Sequence, residues 1–256
     1  MKGWIDTMKQ LLKLEFRRLT RLKSLYICSG IMVALVFLSA LTTEMLLSIG
    51  DGFLGDYLGS SGINAMLRGF VDSSFELLIA IFVALSVCED FEQKTIRVIL
   101  SRGHSRKGVF FTKMLALHII CTVVFVAVLL VSFGAGTLFF GTGNAEAGQL
   151  LRVLGVQYAT CMAEVMMFFG ISYLLRKNGA SIAVTIVVPA VIPVILTLLD
   201  VTGDTSLSKY WISGFWNDLS YLRVSDDGLL RCLIGAGLYW VGFGALGLLG
   251  AEKSEA

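Results

Sequence analysis

A chain of 256 residues with 56% hydrophobic and only 16% charged residues, at a mean hydropathy of +0.79, carries less charge than the roughly one quarter typical of soluble domains. Its formal net charge of +2 is unremarkable, so the location of the charges matters more than their sum, and nothing points to nucleic acid as a partner. Long apolar stretches use most of the length and exclude a separate catalytic domain.

Residues 1–24 come first. Trp4, Ile5, Met8, Leu11, Leu12, Leu19 and Leu22 fall near one helical face, and Lys9, Lys13 and Arg17 recur four apart on another. That pattern predicts an amphipathic helix lying in the inner membrane interface; an ordinary basic topogenic tail is the plainer reading. No small-residue cleavage site follows, so the first apolar run is expected to be an uncleaved anchor.

A hydrocarbon core of about 30 Å needs about 20 apolar helical residues. Six stretches meet that need: Leu25–Ile49, Phe70–Cys88, Val109–Phe140, Leu151–Leu175, Ala180–Leu199 and Leu229–Gly250. The third is longer than a span requires, so its first turns, with Lys113, are expected to project from the bilayer. The fold class is therefore all-α, one six-span domain over residues 1–256. Lys and Arg crowd into residues 1–24, into the loop from Lys94 to Lys113, and into Arg176, Lys177 and Lys253. Only Arg68, Arg152, Lys209, Arg223 and Arg231 stand on the other side. The positive-inside rule then places both termini in the cytoplasm, and a bacterial cytoplasmic membrane fits a chain without an Asn-x-Ser/Thr sequon.

The loop 89–108 after the second span is acidic at its start (Glu89, Asp90, Glu92) and basic at its end, a polarity that complements a helix dipole. Gly103 is expected to stop a short helix there and Ser105 to cap the next one. Thr95, Ile96, Val98, Ile99 and Leu100 give that helix an apolar side, either a docking surface or a face packed on neighbouring spans.

Glu164 stands in the middle of the fourth span, where a carboxyl is costly. It reads as a polar lining of a substrate path, an interhelical pair or a protonated structural acid. The fifth span holds both prolines of the chain, Pro189 and Pro193; each removes a backbone donor, which predicts a kink or local unwinding, static or gating. In the outer loop 200–228, Tyr210, Trp211, Phe215, Trp216 and Tyr221 suggest short helices at headgroup level.

Cys28, Cys88, Cys121, Cys161 and Cys232 form no close pair and read as packing residues. With two histidines and no G-x-x-x-x-G-K-[ST], His-Glu-x-x-His or Gly-x-Ser-x-Gly, the chain is read as no enzyme, with no metal and no cofactor of its own.

On these residues the chain resembles permease subunits of ABC transporters of the type-2 exporter superfamily, over nearly its whole length. The first cytoplasmic loop carries the resemblance: the acidic cluster Glu89, Asp90 and Glu92, then Thr95-Ile96-Arg97-Val98-Ile99-Leu100-Ser101, then Ser105-Arg106 and Lys113. Lys94 stands where Gly is usual, and Gly103-His104 where Pro and an aliphatic residue are usual. The resemblance implies a coupling helix that docks on a cytoplasmic ATPase, with Glu89, Asp90, Glu92, Thr95, Ile96, Ile99 and Arg106 as coupling residues. It implies two ATPase chains that bind ATP–Mg, and a second permease chain, identical or related. Glu164, Pro189 and Pro193 are then candidates for a substrate path or gate, and the substrate a peptide antibiotic or other amphipathic compound. Two rivals stand beside it: an ion-coupled carrier built on Glu164, and a non-transporting anchor or immunity component of a complex.

Overall fold

The computed structural model describes residues 2–49, 61–70, 73–101, 103–203, 205–222 and 224–252. Among these the regular structure is entirely helical. In chain order the helices are α1 (Lys2–Leu19), α2 (Lys23–Ile49), α3 (Gly62–Arg68), α4 (Ser73–Glu92), α5 (Thr95–Ser101), α6 (Arg106–Phe140), α7 (Ala147–Leu175), α8 (Asn178–Gly203), α9 (Ile212–Leu219) and α10 (Asp226–Glu252), with a 3-10 turn at Ser208–Tyr210.

The six expected spans correspond to α2, α4, α6, α7, α8 and α10, each within a few residues. Among the described residues five of them, α2, α6, α7, α8 and α10, are long and apolar enough to cross a membrane. The exception is α4, twenty residues that include Glu76, Glu89, Asp90 and Glu92. It is also a central helix: Ile79, Ala80, Phe82, Val83, Ala84, Val87 and Cys88 are all buried. Its inner surface is covered by α2, α7 and α8. At 35 residues and 1.5 Å per residue, α6 is about 50 Å long, well beyond the apolar thickness of a bilayer.

The core follows α7, along which nearly every residue from Thr160 to Gly170 is buried. Phe110, Phe169 and Tyr173 pack together in tilted and edge-on pairs with centroids 5.0–5.2 Å apart. All five cysteines are buried and free, as expected of packing residues. The outward faces of α2, α8 and α10 carry Ile31, Phe37, Leu38, Val194, Leu198, Leu238 and Val241 in the open, the distribution of a membrane bundle rather than a soluble one.

Two short helices fill the end of the bundle away from the termini. Ser61 caps α3 by accepting from the Asn64 amide at 3.2 Å, and α3 lies against α6, where the Gly62 amide donates to Gly141 O at 2.8 Å. The face Ile212, Phe215, Trp216, Leu219 of α9 is buried. Gln157 of α7 joins the two: its Nε2 donates to Leu67 O and to Leu219 O, each at 2.9 Å. One buried amide thus serves the C-terminal carbonyls of both short helices, groups that a helix end leaves without partners. The outer aromatic residues therefore sort differently from the expectation of a headgroup belt. Trp211, Phe215 and Trp216 are buried, whereas Tyr210 and Tyr221 are exposed, because α9 turns its apolar face inward, with Trp216 stacked on Phe70 and Phe70 in turn on Phe125.

Helix α8 runs through Pro189 and Pro193 without interruption, so the expected unwinding does not occur. Thr197, one turn after Pro193, donates its hydroxyl to Pro193 O at 2.8 Å, while the carbonyls that lose an amide donor to the two prolines are those of Thr185 and Pro189, four residues earlier.

Candidate functional site

The opposite end of the bundle gathers α1, the α4–α5–α6 connection, the α7–α8 turn and the end of α10. Sequence patterning brings them there. The apolar stripe of α1 runs through Leu11 and Leu19, both buried, and it seats α1 against α6. The side chains of Trp4, Ile5, Met8, Arg97, Arg102 and Lys253 lie outside the described residues.

Asp90, two residues before the end of α4, is paired with both Lys113 of α6 and Arg18 of α1. Glu15, on the same stripe of α1 as Leu11 and Leu19, lies 3.1 Å from Lys113 Nζ and 3.3 Å from Arg18 Nη2. Arg18 also donates to Ser86 O of α4 at 3.1 Å. The Asp90, Lys113 and Glu15 side chains are 2%, 4% and 7% exposed, so this is a buried node of two acids and two bases joining three helices. Glu15 shares its cations with Asp90 and is the less compensated acid. Burial pushes its carboxyl above the ordinary 4.5, and Arg18 pulls it part of the way back. The same burial holds the Arg18 guanidinium below its ordinary value, opposed by Glu15.

That imbalance has a pH signature. A carboxyl whose folded-state value is raised binds its proton more tightly in the folded protein. Its contribution to stability is complete below the unfolded value and is lost as pH rises through the folded one. Relative to wild type, Glu15→Gln is therefore expected to gain stability as pH rises above 4.5, measured as melting temperature in one detergent. A constant offset across that range would show that Glu15 does not titrate there.

Beyond Asp90 the chain leaves α4 through Lys94, whose φ of 58° is left-handed. Such a conformation costs a side chain about 1–2 kcal/mol relative to the right-handed one, and it turns the chain sharply into α5. The helix ends at Ser101, Gly103 follows at φ 88°, and Ser105 caps α6 by accepting from the Gly108 amide at 3.1 Å. Stop and cap fall where the sequence places them. Ile96 and Leu100 look inward, into a narrow crevice with Phe91, Arg106, Val109, Tyr173 and Ala251. Ile99 is half-buried, while Val98 is 52% exposed and is the apolar residue that α5 presents outward.

The expected coupling residues thus take different parts. Asp90 lies inside the ionic node. Glu89 accepts from Gln93 Nε2 at 2.8 Å. Glu92 receives the Asn178 amide at 2.9 Å and Asn178 Nδ2 at 2.6 Å, a carboxylate set at the N-terminus of α8, where the helix dipole favours it. Thr95 opens α5. Arg106 donates to Glu252 O at 3.0 Å, and Lys107 pairs with the Glu252 carboxylate at 2.8 Å. Arg176 caps α7 in the left-handed conformation, donates to Gly250 O at 2.7 Å and stacks over Phe91 at 5.8 Å. The connection around α5 is in this way tied to α1, α6, α8 and α10.

Glu164 stands apart, in the bundle interior. It is fully buried and its Oε2 accepts from Trp216 Nε1 at 3.3 Å. Pro189 is buried and Pro193 half-buried on α8. None of the three lines the crevice of about 210 Å³ between α2 and α4, which is formed by residues such as Met32, Val36, Ser39, Gly69, Phe75 and Leu78. Glu164 lies on α7 and the two prolines on α8. Glu15 and Gln157 escaped the sequence reading. An acid at the i+4 position between two buried leucines, Leu11-x-x-x-Glu15-x-x-x-Leu19, was the available signal for the first.

The comparisons with known proteins agree with a multi-pass membrane protein. The chain is similar to the uncharacterized membrane protein YdbK of Bacillus subtilis (strain 168), 27% identical over 159 residues, which are 59% of this chain and 61% of that protein. It thus spans less than two thirds of the length of that curated relative. The family model described as protein of unknown function (DUF2705) matches residues 59–235, a range that contains α4, α5, Lys113, Glu164 and Trp216 and leaves out Glu15 and Arg18. With that match over more than half its length, the chain belongs to the DUF2705 family.

Proposed function

We propose that this chain is the membrane-spanning permease subunit of an ATP-driven exporter of the ABC type-2 class. In this reading α4 crosses the bilayer as a sixth span, sheltered from lipid by its neighbours, and both termini face the cytoplasm of a bacterial cell. Two permease chains, identical or related, work with two ATPase chains that carry the ATP–Mg, and the substrate is a peptide antibiotic or another amphipathic compound.

The observation that carries the reading is α5. It is a seven-residue helix set between two left-handed residues, at the end where the basic residues collect. Lys94 takes the left-handed conformation at the position where the resemblance expects glycine, the residue that adopts it most readily. Because α5 connects directly to α4 and α6, and Glu92 ties its start to α8, a push on α5 reaches three long helices. The ionic node explains why Asp90 serves this role from inside, as a strut between α1, α4 and α6, rather than as a contact to a partner.

Val98 gives the most direct test. The tagged chain, purified from its native host in mild detergent, is expected to carry a P-loop ATPase and to stimulate its hydrolysis. Val98→Asp is expected to lower that stimulation at least tenfold, equivalent to about 1.4 kcal/mol, while leaving the melting temperature of the permease unchanged. Ile96→Asp is expected to lose the partner as well, but by unseating α5 from the Phe91–Tyr173 crevice, with a drop in melting temperature. A chain that purifies without an ATPase, or a Val98→Asp variant with full stimulation, would overturn the docking assignment.

A further inference from the structure

The bundle interior holds a second arrangement that the exporter reading does not use. Glu164 is on α7, fully buried, and its two oxygens are in different situations. Oε2 accepts the Trp216 indole N–H from α9. Oε1 has no donor from the protein. The Glu164 carboxyl has a second carboxyl beside it, that of Glu76 in the first turn of α4, within side-chain hydrogen-bonding reach.

Two carboxylates in contact repel, and burial removes the water that would screen them. An opposite charge would resolve this, but none is supplied. Among the described residues no ion pair joins either carboxyl to a Lys, Arg or His. The titratable neighbours are Cys161, one turn earlier on α7, and Cys121 behind it on α6; the remaining partner is the neutral indole of α9. A single proton between the two carboxyls answers both problems at once. It gives Oε1 the hydrogen bond it lacks, and it removes one of the two charges. The same logic makes adjacent carboxyls share a proton in other proteins.

The two acids are not equivalent. Glu76 is only half-buried and sits at the N-terminus of α4, where the helix dipole favours a negative charge. Glu164 is sealed in the core.

We propose that Glu76 and Glu164 form a one-proton binding site where α4, α7 and α9 meet, with the proton on Glu164 Oε1, donated to the Glu76 carboxylate. Losing the proton would leave two charges in contact; adding a second would exchange a hydrogen bond to a carboxylate for a weaker one to a neutral carboxyl. The α4–α7 tie is therefore strongest at one proton, and the site does not depend on any ATPase partner.

Infrared difference spectroscopy of the full chain in lipid nanodiscs at neutral pH tests this. Wild type minus Glu164→Gln is expected to contain the C=O stretch of one protonated carboxyl per chain. Glu76→Gln is expected to retain that intensity, because its proton stays on Glu164. Glu164→Gln has the shape of the protonated acid, with an amide donor toward Glu76 and an oxygen for Trp216, so it should fold; the retained band in Glu76→Gln reports on Glu164 separately in any case. Overturning results are no protonated carboxyl in either difference, as a bound sodium ion between two carboxylates would give, or two per chain in the Glu76→Gln/Glu164→Gln double difference.

Discussion

Lys113→Met is expected to destabilise the folded chain by about 3–5 kcal/mol, the cost of removing one partner from a buried ion pair. Lys113 is 4% exposed and serves Asp90 and Glu15 together. Without it, two buried carboxylates share one guanidinium, and Glu15, already the less compensated of the two, loses its nearer cation. Methionine keeps most of the volume, so the loss is electrostatic rather than a cavity. Asp90→Asn errs in the opposite sense, leaving two cations on one carboxylate. The double variant Asp90→Asn/Lys113→Met restores neutrality and leaves Glu15 with Arg18, so it should be milder than the two single changes added together. That shortfall is the coupling within the node. Lys107 supplies the control, since it pairs with Glu252 on the surface at 63% exposed, and Lys107→Met should change stability by about 1 kcal/mol or less. For a chain of this size 1 kcal/mol corresponds to roughly 2–4 °C. Thermal melts in one detergent should therefore show a fall of about 10 °C for Lys113→Met and almost none for Lys107→Met. Equal melts for the two variants would mean that the node does not hold the three helices together.

The long helices were legible from composition because the lipid-facing and core-facing surfaces of such a bundle are both apolar, and length alone marks them. Local chemistry was legible too: Gly103 and Ser105 act through their own backbone, and the structure uses them as their residue types suggest. What could not be read was pairing across the sequence. Asp90 and Lys113 were both visible as features of one loop, yet nothing in a 23-residue separation says that they meet, or that Glu15 and Arg18 arrive from another helix to complete the node. Gln157 was invisible for the same reason, since an amide in a span has meaning only once two helix ends are brought to it. The aromatic residues of the outer loop were visible but were assigned to the headgroups, because a sequence does not say whether a short amphipathic helix turns its apolar face to lipid or to protein. For α9 the stack of Phe70, Phe125 and Trp216 settles that choice inward.

The contact between α7 and α10 should be the least tolerant of added volume, and Gly170→Val is expected to destabilise by about 3 kcal/mol, the upper range for forcing volume into a packed core. A Cβ placed on Gly170 would stand 2.5 Å from Phe243 O and 3.3 Å from Phe243 C. The obstacle is backbone, so no rotamer change relieves it. The approach continues along the seam, where a Cβ on Gly247 would stand 3.2 Å from Gly170 Cα and one on Gly250 3.3 Å from Tyr173 O. Within a bilayer, helices gain little from burying apolar surface against each other, and close backbone approach at small residues supplies the attraction instead. Gly244 lies on the same helix, but its obstacle at 2.7 Å is the terminal methyl of Met166, which can swing aside, so Gly244→Ala should cost less than about 1 kcal/mol. The seam also bears on the proposed coupling. Gly250 O and Glu252 O, at the end of α10, receive Arg176 and Arg106, and Arg106 lines the crevice that seats Ile96 and Leu100 of α5. Spreading α7 from α10 should therefore weaken the seat of α5 before the bundle itself unfolds. In Gly170→Val, protease cleavage between Lys94 and Lys107 should become faster at temperatures well below the melt, whereas Gly244→Ala should cleave like wild type. If Gly170→Val melts and cleaves like wild type, the two helices do not hold the close approach on which both the packing and the link to α5 rest.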